Sequence, residues 1–382
     1  MKNLEFNGIF LLADCSADKI AINKLEKFPL HGMGLSETFY AVKGGIFMKK
    51  IYLTALLILI LILAAGCTAS GNSQDNGQKD QYLENTGDKL ANAAKPVIPA
   101  KLKLNQHGIP ILNVYQVDEE ETKEMDIETY LEGVLAGEMK NDWPMEALKA
   151  QAILARTFVL KFCTEKESKY EGADISTDIE EAQAYDETGI NERIEEAVKE
   201  TEGLVLSHQG QLPYAWFHAH SGGKTALAKE GLAYRENEPG YTKVTDGNES
   251  EKAPEEAQEW TASFSENEVI AAAKKIGYNG LGSIKEAKIG ETGESGRALS
   301  ILINGESISA PDFRIALGST KMRSTLLTSL EFKDGMLMMS GKGYGHGVGM
   351  PQWGAYRMAE DGNSAKEIVQ YYFKDITVEK LW

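Results

Sequence analysis

The stretch Asp126–Cys163, DIETYLEGVLAGEMKNDWPMEALKAQAILARTFVLKFC, holds the pattern from which the rest of the chain is read. In its first half Ile127, Tyr130, Leu131, Val134, Leu135 and Met139 recur at the 3.6-residue period of a helix with one apolar face, and Asp126 stands where an N-cap belongs. The second half restarts behind Asp142-Trp143, with Pro144 at a first helical position and Leu148, Ala152, Ala155, Val159 and Phe162 as the buried stripe. At about 100° per residue, Glu138 lies within about 20° of both Leu131 and Ile127, which puts a carboxylate on the core-facing side. Burial costs the anion its solvation and raises the pKa towards what a general acid needs near neutrality. Gly133, Ala136 and Gly137 leave space beside it. On spacing alone, a glutamate paired with an arginine inside the fold is the plainer reading. Lys149 and Arg156, seven apart beside the second stripe, are either cations that hold a ligand carboxylate or orient Glu138, or a solvated flank with snorkelling stems.

Outward from these helices, Ile111–Val117 is β-rich, and short strands are expected around Leu204–Ser207 and Pro213–His218, on either side of His208-Gln209-Gly210-Gln211. Glu249–Lys275, acidic and Ala-rich, reads as an inserted or peripheral helical part, with residues 249–330 as a peripheral subdomain of one domain spanning 109–382. Helices and strands mix without a βαβ rhythm, so the fold class is α+β, and no repeat of 20–50 residues is present.

The N-terminal third reads as export grammar. Met48-Lys49-Lys50 precedes fifteen uncharged residues, Ile51–Ala65, and then Gly66-Cys67. That run is short for a membrane span, which needs about 20 residues, and matches the apolar region of a signal peptide. Leu63-Ala64-Ala65-Gly66-Cys67 is similar to a bacterial lipobox, with Cys67 as the lipidated residue; an uncleaved anchor and plain cleavage are the alternatives. Each exports the chain and places it on the extracytoplasmic face. Residues 1–47 are read as an extension from a mis-called start, with Met48 as the start, and 68–108 as a flexible tether, too poor in apolar surface to order itself.

With 40 Lys and Arg against 57 Asp and Glu, the chain has a formal charge of −17, which argues against wrapping nucleic acid. Beyond the leader one cysteine remains besides Cys67; Cys163, at the end of an apolar helical run, reads as buried and inert.

Two further segments could carry chemistry. In Phe217–Thr225 (FHAHSGGKT), His218 and His220 alternate as strand residues do, so a metal pair is conceivable, although no third ligand stands nearby. Ser221 sits in no nucleophile elbow. In Gly341–Met350 (GKGYGHGVGM), glycine occupies every second position, so one face of the expected strand has no side chains and admits a backbone or a sugar ring, while Lys342, Tyr344, His346 and Val348 project from the other. Tyr344 and His346 fit a structural network and a substrate contact equally well. Neither a dinucleotide fingerprint nor a phosphate loop is present.

Taken together, Tyr130–Phe158, FHAHSGGKT and Gly341–Ala355 (GKGYGHGVGMPQWGA), in this order and spacing, resemble the SpoIID/LytB domain family over roughly residues 109–380. The resemblance implies a peptidoglycan lytic transglycosylase that cuts glycan strands stripped of stem peptides during engulfment in sporulation, with a substrate cleft. It implies Glu138 as the acid/base and Lys149, Arg156, His218 and Ser221 as supporting residues; Tyr344, His346 and Gln352 are read beside them as substrate-binding or supporting residues. Expected partners are glycan strands, an amidase and membrane components of the engulfment machinery. The rival it offers is a non-catalytic enhancer of an amidase. Lys140, Ala219-His220 and Pro351 depart from the family pattern, which puts substrate fit in question. The His/Cys ligands of zinc-binding relatives are missing from Tyr170–Ala182, so neither zinc nor another cofactor is expected.

Overall fold

Backbone pairing begins earlier than composition suggests. In the computed structural model, which describes residues 95–382, β1 (Lys103–Leu104) pairs with β2 (Pro110–Gln116), and β2 forms an antiparallel hairpin with β3 (Glu121–Asp126). Leu112 and Val114 point inward from β2 and are fully buried, as period-two alternation requires. Leu102, inside the stretch read as tether, packs into the same core. Asp126 ends β3 and caps α1 (Ile127–Glu138), accepting the Thr129 N–H at 2.9 Å.

Helix α2 (Met145–Glu165) is the column of the first core. Ala147, Ala150, Ala152 and Ala155 are fully buried, and these small side chains let neighbouring elements approach closely. Around it stand α1, α3 (Glu192–Glu200) and β5 (Leu204–Ser207), while β4 (Ile175–Ser176) joins β2 in parallel. Only Phe217–His218 of the second expected strand is regular, as β6.

A second core follows α4 (Ala228–Leu232) and α5 (Glu255–Gln258). It gathers β7 (Glu259–Ser265), α6 (Glu266–Lys275), β8 (Ala287–Ile289), β9 (Ser300–Ile303), β10 (Glu306–Ser309), α7 (Ala310–Leu317), β11 (Leu327–Lys333) and β12 (Met336–Lys342). Two three-stranded sheets, β11-β12-β7 and β10-β9-β8, supply eight of its 17 buried apolar side chains, and the helices and loops the rest. The segment read as helical thus contains a strand. Trp260 and Phe264 are buried while Glu259, Thr261 and Ser263 are exposed, a two-residue alternation that the Ala-rich composition conceals.

The chain then returns to the first core through β13 (Met350–Pro351), α8 (Gln352–Glu360), α9 (Ala365–Tyr372) and β14 (Thr377–Lys380). Both helices pack on α2; β14 pairs antiparallel with β5, and β13 pairs in parallel with β6. The architecture is α+β. The extension 1–47, the signal or anchor 48–67 with Cys67, and tether residues 68–94 lie outside the described residues. Among the described residues no helix is long and apolar enough to cross a membrane.

Candidate active site

Glu138 is the last residue of α1 and is 7% exposed. Its Oε1 accepts the Ala184 N–H at 2.8 Å. The Gln352 side-chain amide donates to the Glu138 carbonyl at 3.0 Å and lies 3.5 Å from Oε2. Among the described residues no cation forms an ion pair with the carboxyl. Burial pushes it from an ordinary 4.5 up to about 8, and the two neutral donors offset only part of that rise. Such an acid is largely protonated at neutral pH.

The space that Gly133, Ala136 and Gly137 promise is filled by the protein's own loop. A Cβ on Gly137 would lie 2.7 Å from the backbone of Ala184 and Tyr185, and one on Gly133 would collide with the Tyr185 ring. The small residues therefore serve to let this loop descend and deliver the Ala184 N–H to Glu138.

Gln352 reaches Glu138 because the other two motifs lock together. His220 and Tyr344 exchange backbone hydrogen bonds of 3.0 and 2.7 Å, Phe217 and His218 pair with Met350 and Pro351, and the Trp353 N–H donates to the Ala219 carbonyl at 3.1 Å. The alternating-glycine segment is not the expected two-faced strand. β12 stops at Lys342, and Gly343, Gly345, Gly347 and Gly349 all take left-handed φ values of 74 to 115°. A Cβ at Gly345 would lie 2.6 Å from the His218 Cβ, and at Gly343 2.7 Å from the Gly222 nitrogen. What approaches these glycines is the protein itself, and Tyr344, His346 and Val348 are buried.

The histidines form a neutral cluster. His218 Nδ1 lies 3.2 Å from the Val348 carbonyl and its ring centroid 5.5 Å from that of His346. His346 Nδ1 accepts the Val348 N–H at 3.0 Å. Burial holds His218 well below the ordinary imidazole range, lowers His220 and pushes His346 down to about 3, with nearby arginines adding repulsion at the first and last. Ser221 is buried and gives its N–H, at 2.7 Å, and its hydroxyl to Glu249. Arg297 Nη2 donates to the Ser221 carbonyl at 2.6 Å. Among the described residues no group of three or more His, Cys, Asp or Glu could hold a metal ion.

The two helix cations sit elsewhere. Lys149 bonds Glu146 at 2.8 Å and Glu200 at 2.5 Å. Arg156, fully buried, forks onto Glu128 at 3.0 and 2.5 Å and donates to the Leu204 carbonyl at 3.0 Å. Neither shares a hydrogen bond or ion pair with Glu138, and Arg156 is no solvated flank either. Cys163 is buried, and burial pushes its thiol up to about 12.

Sequence reading missed three contributors. The Ala184 N–H is a backbone group with no residue signal beyond the glycines that admit it. Glu249 is one acid in an acidic run. Trp143, Trp353 and Tyr356 form an aromatic cluster next to Gln352, with centroids 4.5 to 5.3 Å apart; only its neighbours' roles point to it.

The family described as Stage II sporulation protein matches residues 115–208, and a domain of unknown function, DUF8618, matches 225–349. An uncharacterized protein of Brachyspira hyodysenteriae is 31% identical over 261 residues, 67% of this chain and 67% of that protein. The stage II sporulation protein D of Bacillus subtilis is 28% identical over 353 residues, 87% of this chain and 96% of that protein. The amidase enhancer of Bacillus subtilis is 25% identical over 291 residues, which is 65% of this chain and 40% of that protein.

Proposed function

The chain belongs to the stage II sporulation protein D (SpoIID) family, and from that premise we propose that it is a sporulation cell-wall enzyme, a lytic transglycosylase that cleaves peptide-stripped peptidoglycan strands with Glu138 as its acid and base. The observation that carries this reading is a buried carboxyl raised to about 8 among neutral donors only. In the protonated form Glu138 gives its proton to the oxygen of the bond from muramic acid to glucosamine, and that bond breaks. The resulting carboxylate takes the proton of the muramic 6-hydroxyl, whose oxygen closes on the anomeric carbon. No water is consumed and the acid is regenerated. A hydrolase would instead use two carboxyls about 5 to 9.5 Å apart.

The remaining motif residues support this acid rather than react. Gln352 orients it, and the paired strands carrying His218, Ser221, Tyr344 and His346 hold Gln352 in place. On this reading the chain acts outside the cell membrane, tethered through residues 48–67. The test is mass spectrometry of products from purified, peptide-free glycan. The intact chain should produce anhydro-muramic ends, and Glu138→Gln should produce them about 10²- to 10⁴-fold more slowly. Unchanged production by Glu138→Gln would overturn the assignment.

The amidase-enhancer relative favours a second reading, in which the chain stimulates a partner amidase without chemistry of its own. That reading requires stimulation to survive Glu138→Gln and the unsubstituted chain to form no anhydro ends.

A further inference from the structure

The second core carries a groove of about 950 Å³, which of the motif residues only Gly341 and Lys342 line. Glu138, Gln352 and the histidines are not among its lining residues. We propose that this groove is a second glycan-binding site, which grips the strand at a distance from the bond being cut. The proposal rests on the glycan reading above and adds a site to it.

The lining selects the ligand. Thr261 and Ser263 lie on one face of β7, Ser340 stands directly opposite Thr261 on β12, and Thr328 lies on neighbouring β11, so three adjacent strands present a patch of hydroxyls to the groove. Ordinary ligand pockets of about 300 to 1,000 Å³ are lined mainly by apolar side chains. This one is hydroxyl-rich at the top of that range, which suits an extended polyhydroxyl molecule rather than a lipid. Its single large aromatic is Trp260, fixed by an indole N–H bond of 3.1 Å to Ser324 and packed so tightly on Gly341 that a Cβ there would lie 2.5 Å from the ring.

Charge narrows the choice further. Glu255, Glu256 and Glu259 face Lys321, Arg323 and Lys342, an even balance on a chain whose formal charge is −17. Three carboxylates repel a polyphosphate or nucleic acid. Isolated carboxylates spaced along a neutral polyol are tolerated, because the lining carries Lys321, held in a 3.5 Å surface ion pair with Glu268, and Arg323, whose Nε and Nη1 donate to the Thr320 and Glu256 carbonyls. A strand of N-acetylated hexosamines, with a lactyl carboxylate on every second ring, has that composition. The groove is also joined to the motif region: Arg323 lies 5.1 Å over the Tyr344 ring and its carbonyl accepts the Gly345 N–H at 2.9 Å.

The experiment titrates the intact Glu138→Gln chain, which does not consume its ligand, with peptide-free glycan strands and with N-acetylchitohexaose by calorimetry. Filling the groove with Thr261→Tyr plus Ser263→Tyr, both exposed strand positions, should weaken binding at least tenfold. The same pair in the chain that retains Glu138 should raise KM for glycan strands with kcat unchanged. Ser263→Ala plus Thr328→Val, which remove only hydroxyls, should weaken binding about threefold and decide the matter if the filled variant does not fold. Unaltered affinity and KM in these variants would overturn the proposal, as would a groove that takes a protein segment and leaves glycan binding untouched. Persistence of anhydro ends in Glu138→Gln would instead strike the catalytic reading, so the two failures are distinguishable.

Discussion

Helix α1 carries a glutamate near each end, and their surroundings are opposite. Glu128, in the first turn, receives both arms of Arg156, the Gly203 N–H at 3.1 Å and the Trp382 indole N–H at 3.1 Å. It stands where the helix dipole favours an anion. Glu138 closes the last turn, where the dipole disfavours one, and it receives two neutral donors and no cation. Both carboxyls are shielded from water, but only the first is given what an anion needs. Burial, the largest cause of the rise at Glu138, is left there without a cation to offset it, and that is how this fold keeps a proton on Glu138.

The largest effect expected from that contrast lies at Glu128. Arg156→Met leaves a shielded carboxylate without its cation and should cost about 3 to 5 kcal/mol in urea denaturation, with the pH profile of anhydro-end formation unmoved in the protein that remains folded. A shifted profile would mean that Arg156 acts on Glu138 after all and would break the comparison.

Next in size is the pH dependence of stability. A carboxyl raised from 4.5 to about 8 on folding contributes stability that is fully present below pH 4.5 and is lost as pH rises through 8. Glu138→Gln, which cannot ionise, should thus be close to neutral at pH 5 and stabilising by up to a few kcal/mol at pH 9. Glu128→Gln should destabilise at both. Thermal melts of the two variants at the two pH values check the signs.

The smallest effect concerns fine adjustment. Gln352 pulls the Glu138 pKa down, so Gln352→Leu should move the alkaline limb of the activity profile to higher pH by a unit or less, since one net hydrogen bond is worth about 1 kcal/mol. A limb that moves to lower pH would contradict the observed geometry.

Much of this was legible in the sequence. The period of Ile127, Leu131, Val134 and Leu135, with Asp126 ahead of it, announces α1 and its inward-facing Glu138, because a helical stripe is a local property. The destinations of Lys149 and Arg156 were not legible. Seven residues apart, they share a face yet stand about 10 Å apart along the axis, too far for both to serve one carboxyl, and Lys149 meets Glu146 and Glu200 while Arg156 meets Glu128. Nor could the glycine alternation be resolved by period alone. A face without side chains suits a strand, but four left-handed φ values make it an irregular ribbon, and only long-range packing against His218, Gly222 and Arg297 fixes that choice. Ala184 was hidden for a simpler reason, since its contribution is a backbone N–H that any residue there would offer.

The most direct test of the central claim is a carboxyl ¹³C titration of the intact chain labelled at glutamate. One resonance, absent from Glu138→Gln, should titrate near pH 8, showing that this acid holds its proton at neutrality. If the resonance lost in that variant titrates near 4.5, Glu138 is an ordinary anion at neutral pH and the account fails.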